Sequence, residues 1–263
     1  MEKLEGRQYG YIHPGNDDCF IRNIPNQQIA GYSVGILYIE HVNYPMMPGN
    51  VVNACTYHFP VRMMAVPHLT NTRLFEGDPA IADDIILAAR HMVEKEGVRA
   101  ICSACGFFGN YHKLVAEALD VPVAMSSLVQ IPMIQAMLKP DQKIGILTAN
   151  AASMTKKLFE NCCVTRTDNL VVQDTRHTKH FANAVVDMAG YMDNGKARDE
   201  IVSLATELLK KDGSIGAILL ECSDMPPYAA DIQAATQLPV FDFITLIDWL
   251  HHATAQRPYS GWI

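Results

Sequence analysis

The chain has 263 residues, 49% of them hydrophobic and 19% charged, which suits a compact enzyme of one large unit or two smaller ones with a sizeable core. A net charge of −7 with no basic run argues against nucleic acid or an anionic membrane as partner. It leaves room for a small anionic substrate, which local N–H groups can hold.

In chain order, residues 1–30 cluster Gly, Pro, Asn and Asp and read as an irregular N-terminal arm. The N-terminal residues lack the apolar core of a signal peptide. Nowhere does an apolar stretch approach the roughly 20 residues of a membrane span. Seven cysteines, an odd number, then point to reduced thiols in the cytoplasm. Residues 34–39 form the first expected strand. The loop 40–49 that follows is long enough to cover a site or contribute to one. Residues 51–57 and 61–66 are strand-like, with Cys55 expected in the core. Asp78 caps a helix over 79–93, Pro79 occupies its first position, and Gly97 ends it. Residues 98–102 read as a buried strand that stops at Ser103-Ala-Cys105-Gly106, before a helical pattern from Tyr111. A strand over 121–125 and a helix over 127–138 complete a first half.

The second half opens at Lys143. It continues with a helix from Ser153, a strand over 169–173, helices over 178–192 and 196–211, and strands over 215–221 and 240–243. A closing helix covers 244–255. Strands alternating with helices predict parallel sheets flanked by helices. The expected class is α/β, in two pseudo-symmetric halves over 31–139 and 140–240. Residues 241–263 would then pack back on the first half.

The halves share a pattern. Lys143-Ile-Gly-Ile-Leu-Thr148 matches the stretch ending at Tyr38, with Gly145 aligned to Gly35. Cys105 and Cys222 each follow an apolar run, and a proline, Pro122 or Pro239, stands 17 residues after each. The two thiols are therefore equivalent positions of a duplication. Such turns, from a strand's C-terminal end to a helix N-terminus, are where ligands bind in open α/β sheets. A helix N-terminus is also expected to favour the thiolate.

Two thiols facing each other across one cleft could take a proton from a carbon beside a carboxylate and return one to the opposite side. The growing enolate charge would need donors. The candidates are Ser103, Thr148, Asn150 and Ser223, the backbone N–H groups around Gly106 and Ala149, and the hydroxyls of Tyr38, Tyr111 and Tyr228. Asp224 either polarises Cys222 or caps the following helix, and Glu221 either tunes Cys222 or pairs with a surface base. No second ligand pair at zinc spacing accompanies Cys102 and Cys105, so no zinc site is expected, and proton transfer between two thiols calls for neither metal nor cofactor.

Ser103-Ala-Cys105-Gly106, Glu221-Cys222-Ser-Asp224 and the stretch 143–148 together resemble the aspartate/glutamate racemase superfamily. That group includes hydantoin racemase, maleate isomerase, arylmalonate decarboxylase and an algal-type dimethylsulfoniopropionate lyase. The resemblance covers residues 31–250. It implies that Cys105 and Cys222 are the acid/base pair, that Thr148 and Asn150 bind the substrate carboxylate, and that the protein is a homo-oligomer. The chain departs from glutamate racemase in two places. Ser223-Asp224 stands where Thr-His follows the second cysteine, and Tyr38-Ile-Glu40 replaces an Asp-Ser-Gly motif. The stretch Cys222 to Tyr228 looks closer to branches that hold lyases and racemase-like proteins. The expected activity is a cofactor-independent racemase or epimerase acting on a small carboxylate. A lyase, isomerase or decarboxylase using the same cysteines is the alternative, and a non-enzymatic small-molecule binder the third reading.

Overall fold

The computed structural model describes residues 24–263, so most of the expected N-terminal arm, residues 1–23, lies outside the described part. Among the described residues two four-stranded parallel sheets form, and they repeat one topology. The first holds β1 (Val34–Ile39), β2 (Val61–Val66), β3 (Ala100–Ser103) and β4 (Val123–Ala124), in the order β2-β1-β3-β4. The second holds β5 (Lys143–Thr148), β6 (Leu170–Asp174), β7 (Ile215–Leu220) and β8 (Val240–Phe241), in the order β6-β5-β7-β8. Parallel strands covered on both faces read as continuous apolar runs. The buried residues of β3 and β7 follow that rule.

The duplication has a packing cause. Gly35 and Gly145 are the second or third residues of the central strands β1 and β5. A Cβ on Gly35 would meet Met92 of the helix Ala82–Glu96 and Val98. One on Gly145 would meet Leu208 of the helix Asn194–Lys211 and Ile218. In each lobe the missing side chain lets the long crossover helix settle against its sheet. Gly145→Val is expected to cost about 1–3 kcal/mol through overpacking. A lower urea midpoint at unchanged slope would show it.

The last helix, Phe243–Thr254, starts at a capping box in which Asp242 accepts the Thr245 N–H and Thr245 Oγ1 accepts the Asp242 N–H. Its Phe243, Leu246, Ile247 and Leu250 pack with Val34, Ile36, Ala100 and Cys102, so it lies on the first sheet.

Three local expectations differ from the structure. Residues 51–57 form a turn and a short 3-10 helix, Ala54–Thr56, rather than a strand. Here the Asn50 and Asn53 side chains accept the N–H groups of Val52 and Cys55, offering the backbone an alternative to a ladder. Cys55 is consequently exposed. The helix expected over 178–192 shrinks to Phe181–Val185. The Glu200 carboxylate accepts the N–H groups of Lys179, His180 and Phe181, which sets its start, and left-handed backbone at Met188 and Gly190 lies beyond its end. Finally, Thr155, not Ser153, caps the helix Lys156–Asn161. No helix among the described residues is long and apolar enough to cross a membrane.

Candidate active site

In both sheets the chain reverses direction beside the central strand, and the crevice at the strands' carboxyl ends is where such folds bind ligands. The two crevices open on one cavity of about 350 Å³. Tyr38 from the end of β1 lines it, with Ala104, Cys105 and Gly106 from the turn after β3. Ala149 after β5 and Glu221, Cys222, Ser223 and Asp224 after β7 come from the second lobe. Two segments outside the sheets supply more of the wall: Val42, Tyr44 and Met46 from the loop 40–49, and Val185, Val186 and Met188 from the second lobe. They are bonded to each other. Asn43 Nδ2 donates to the Met188 carbonyl at 3.2 Å, and the Gly190 N–H donates to the Asn43 carbonyl at 2.9 Å.

Both equivalent thiols thus line the same space. Their resting state differs from the expected thiolate. Burial pushes the Cys105 thiol well up, and the neighbouring Glu221 and Asp224 add to this. The Phe107 N–H at the helix start pulls the other way but does not offset burial. Burial raises Cys222 as well, with Asp224 and Glu221 next in importance. The helix-terminus effect is present, but desolvation outweighs it. Both cysteines therefore rest as thiols.

Two carboxyls flank them in different surroundings. Asp224 collects three donors: Asn50 Nδ2 on Oδ1, the Cys222 thiol on Oδ2 at 3.5 Å, and the Tyr44 hydroxyl. Burial raises its pKa, and these donors pull it back. Glu221 is 1% exposed. Its Oε2 accepts the Thr148 hydroxyl at 2.7 Å, and its Oε1 has no partner among the described residues. Burial pushes Glu221 to about 7, Thr148 opposing and Asp224 adding.

A carboxyl raised in the folded state binds its proton more tightly there than in the unfolded chain. Stability should therefore fall as pH rises from about 4.5, the ordinary value, to about 7, and stay lowered above that. Glu221→Gln should remove this slope, by on the order of a few kcal/mol at pH 8. Urea unfolding of both proteins across this range would show it.

The remaining sequence candidates fall into two groups. Tyr38, Gly106 and Ser223 line the cavity. Ser103, Thr148, Asn150 and Tyr111 do not. The Ser103 hydroxyl is spent on the carbonyls of Met125 and Cys105. Tyr111 donates to the Asp78 carbonyl at 2.9 Å. Thr148 reaches the site only through Glu221. Asn150 Nδ2 donates to Ser153 Oγ at 2.9 Å, and its buried Oδ1 has no partner among the described residues. Tyr228 points its hydroxyl at Asn194 Oδ1, 3.1 Å away. Sequence reasoning missed Tyr44 and Asn50, whose one signal was the length of the loop that carries or precedes them. Among the described residues lining the cavity none is Lys, Arg or His.

The model of the Asp/Glu/Hydantoin racemase family matches residues 54–248. This chain belongs to that family. The chain is 31% identical over 257 residues to a dimethylsulfoniopropionate lyase of Durusdinium sp. clade D, covering 94% of this chain and 80% of that one. It is 29% identical over 245 residues to dimethylsulfoniopropionate lyase 5 of Emiliania huxleyi, covering 89% of this chain. The match spans about half, 48%, of that relative's length. Unliganded arylmalonate decarboxylase superposes with a TM-score of 0.56 at 14% identity, over 88% of this chain and 95% of that one. Allantoin racemase from Pseudomonas fluorescens does so with 0.56 at 16%, over 88% and 99%. At such identities the structural likeness speaks for the racemase-family fold, with its two α/β lobes, and not for an activity.

Proposed function

We propose that this protein is a cofactor-independent lyase of small carboxylates whose β-carbon carries a cationic leaving group, of the kind dimethylsulfoniopropionate represents. The observation that carries the reading is the pair of thiols, from equivalent strand ends of two lobes, on one cavity. The relatives named as dimethylsulfoniopropionate lyases favour cleavage over racemisation. The lining favours a cationic end as well. It offers the Asp224 carboxylate beside the rings of Tyr38, Tyr44 and Phe75, and the described lining residues hold no basic side chain to repel it.

In this mechanism Cys222 is the base. Its thiol already points at Asp224. Burial and the nearby carboxylates hold the thiol neutral; a cation entering the cavity offsets the carboxylates, so the thiol releases its proton to solvent and the substrate helps to create the thiolate. The thiolate takes the α-proton, that C–H electron pair forms the carbon–carbon double bond, and the β-carbon–sulfur pair leaves with sulfur. The products are a neutral sulfide and an unsaturated acid. The Cys105 thiol, on the same cavity, can protonate an enolate that fails to eliminate.

The second reading is racemisation, which two thiols from opposite lobes also suit. Incubating the protein with dimethylsulfoniopropionate and assaying headspace dimethyl sulfide and dissolved acrylate separates the two. Release of both is the expected result. Exchange of an α-proton for deuterium without sulfide, on this or another small carboxylate, would favour racemisation instead.

A further inference from the structure

Glu221 is the one carboxyl of the cavity that this mechanism leaves idle, and its surroundings are specific. It follows β7 directly, is 1% exposed and lines the cavity. One oxygen, Oε2, is committed to the Thr148 hydroxyl, and the other, Oε1, is buried without a partner among the described residues. Oε1 lies over the Cα of Gly106, in the turn of the opposite lobe that bears Cys105, where any Cβ would run into it. The absence of a side chain there makes room for this oxygen at the cavity wall.

We infer that Glu221 stands in the resting site as a neutral carboxylic acid, and that its Oε1–H is the hydrogen-bond donor for the substrate's carboxylate. The inference rests on the carboxylate reading above. An anionic group entering this cavity finds no lysine, arginine or histidine among the described lining residues. Among the described residues the titratable groups that face Glu221 are Asp224, Cys105, Cys222 and Cys162, none of which is a cation. Thr148 donates to Oε2, so the acid proton sits on Oε1, the oxygen left without a partner. The two cavity carboxyls then divide the poles of a zwitterion. Asp224, with three donors, is the better placed of the two to carry negative charge for the cationic end, and Glu221, with one, to keep its proton for the anionic end.

The test uses acrylate as probe and reads its affinity by calorimetry from pH 6 to 9, in two buffers of different ionisation enthalpy. Difference infrared spectra of the wild type and Glu221→Gln accompany it. The wild type should show a protonated carboxyl band at pH 6 that Glu221→Gln lacks. Acrylate should bind with uptake of about one proton at pH 8, its affinity falling about 10-fold per pH unit above about 7. Glu221→Gln should show neither the uptake nor the slope. Thr148→Val, which leaves Glu221 in place, should move the break to higher pH, because the bond it removes favours the anion. Acrylate binding with no band and no proton uptake would overturn the inference alone. A Glu221 band at pH 6 with no acrylate binding would overturn the carboxylate reading, and the inference with it.

Discussion

Cys222→Ala is expected to lower the rate of cleavage by about 10²–10⁴-fold, the usual worth of a positioned proton-transfer group. The substitution removes the thiol that points at Asp224 and the only base the lyase mechanism uses. Loss of fold is a weak rival explanation. A cysteine replaced by alanine leaves a void of one sulfur atom, and the thiol is a donor rather than the sole partner of Asp224, which keeps Asn50 and Tyr44. Unfolding midpoints should accordingly move little. Cys105→Ala discriminates between chemistries. In elimination the second thiol is dispensable, so sulfide release should fall by less than it does for Cys222→Ala. In racemisation both variants should lose stereochemical inversion, while one keeps deuterium exchange on its own side. Measuring sulfide and α-deuterium on both variants reads this directly. Normal turnover by Cys222→Ala would remove the assigned base.

The second large effect is expected from a change at a residue that has no titrating group of its own. Gly106→Ala would drive a Cβ into the Glu221 carboxyl. Glu221 is held from behind by Thr148 and sealed from solvent, so it cannot simply swing out. Either the turn bearing Cys105 retreats or the carboxyl does. A cost of about 1–3 kcal/mol is ordinary for overpacking, which in a chain of this size lowers the melting temperature by about 2–10 °C. Activity should suffer more than stability, by about 10²-fold, because displacement by an ångström misaligns the thiol with the carbon it serves. Gly106→Ser should be at least as damaging. A variant with unchanged rate and unchanged melting temperature would mean that the two lobes yield at this point without consequence.

The equivalence of Cys105 and Cys222 was legible because a duplicated chain repeats its punctuation. An apolar run, a cysteine and a proline at matched distance occur twice, and the sheets that result share one strand order. The α/β class followed from the same alternation. Side-chain aim was not legible. Ser103 and Cys105 sit two residues apart on one turn, yet the serine turns back onto backbone carbonyls and the cysteine meets the cavity. Thr148 ends a strand as Tyr38 nearly does, but its hydroxyl is captured by a carboxyl from the neighbouring strand, a contact 73 positions away that no local pattern encodes. Tyr44 and Asn50 come from or border an irregular loop, where neither a period of two nor one of 3.6 marks the inward positions. The expected thiolates failed for a related reason. A helix start can be read from sequence, whereas the depth at which a thiol is buried depends on what the other lobe lays over it.

The bonds between Asn43 and the segment around Met188 and Gly190 have a kinetic consequence. They join elements that belong to neither sheet, and two such hydrogen bonds hold with only about 1–3 kcal/mol together. Access to the interior can therefore be gated by this outer clasp while both sheets stay assembled. In native-state hydrogen exchange the Gly190 amide should trade its proton long before the amides of β5 do, and at a rate insensitive to mild denaturant.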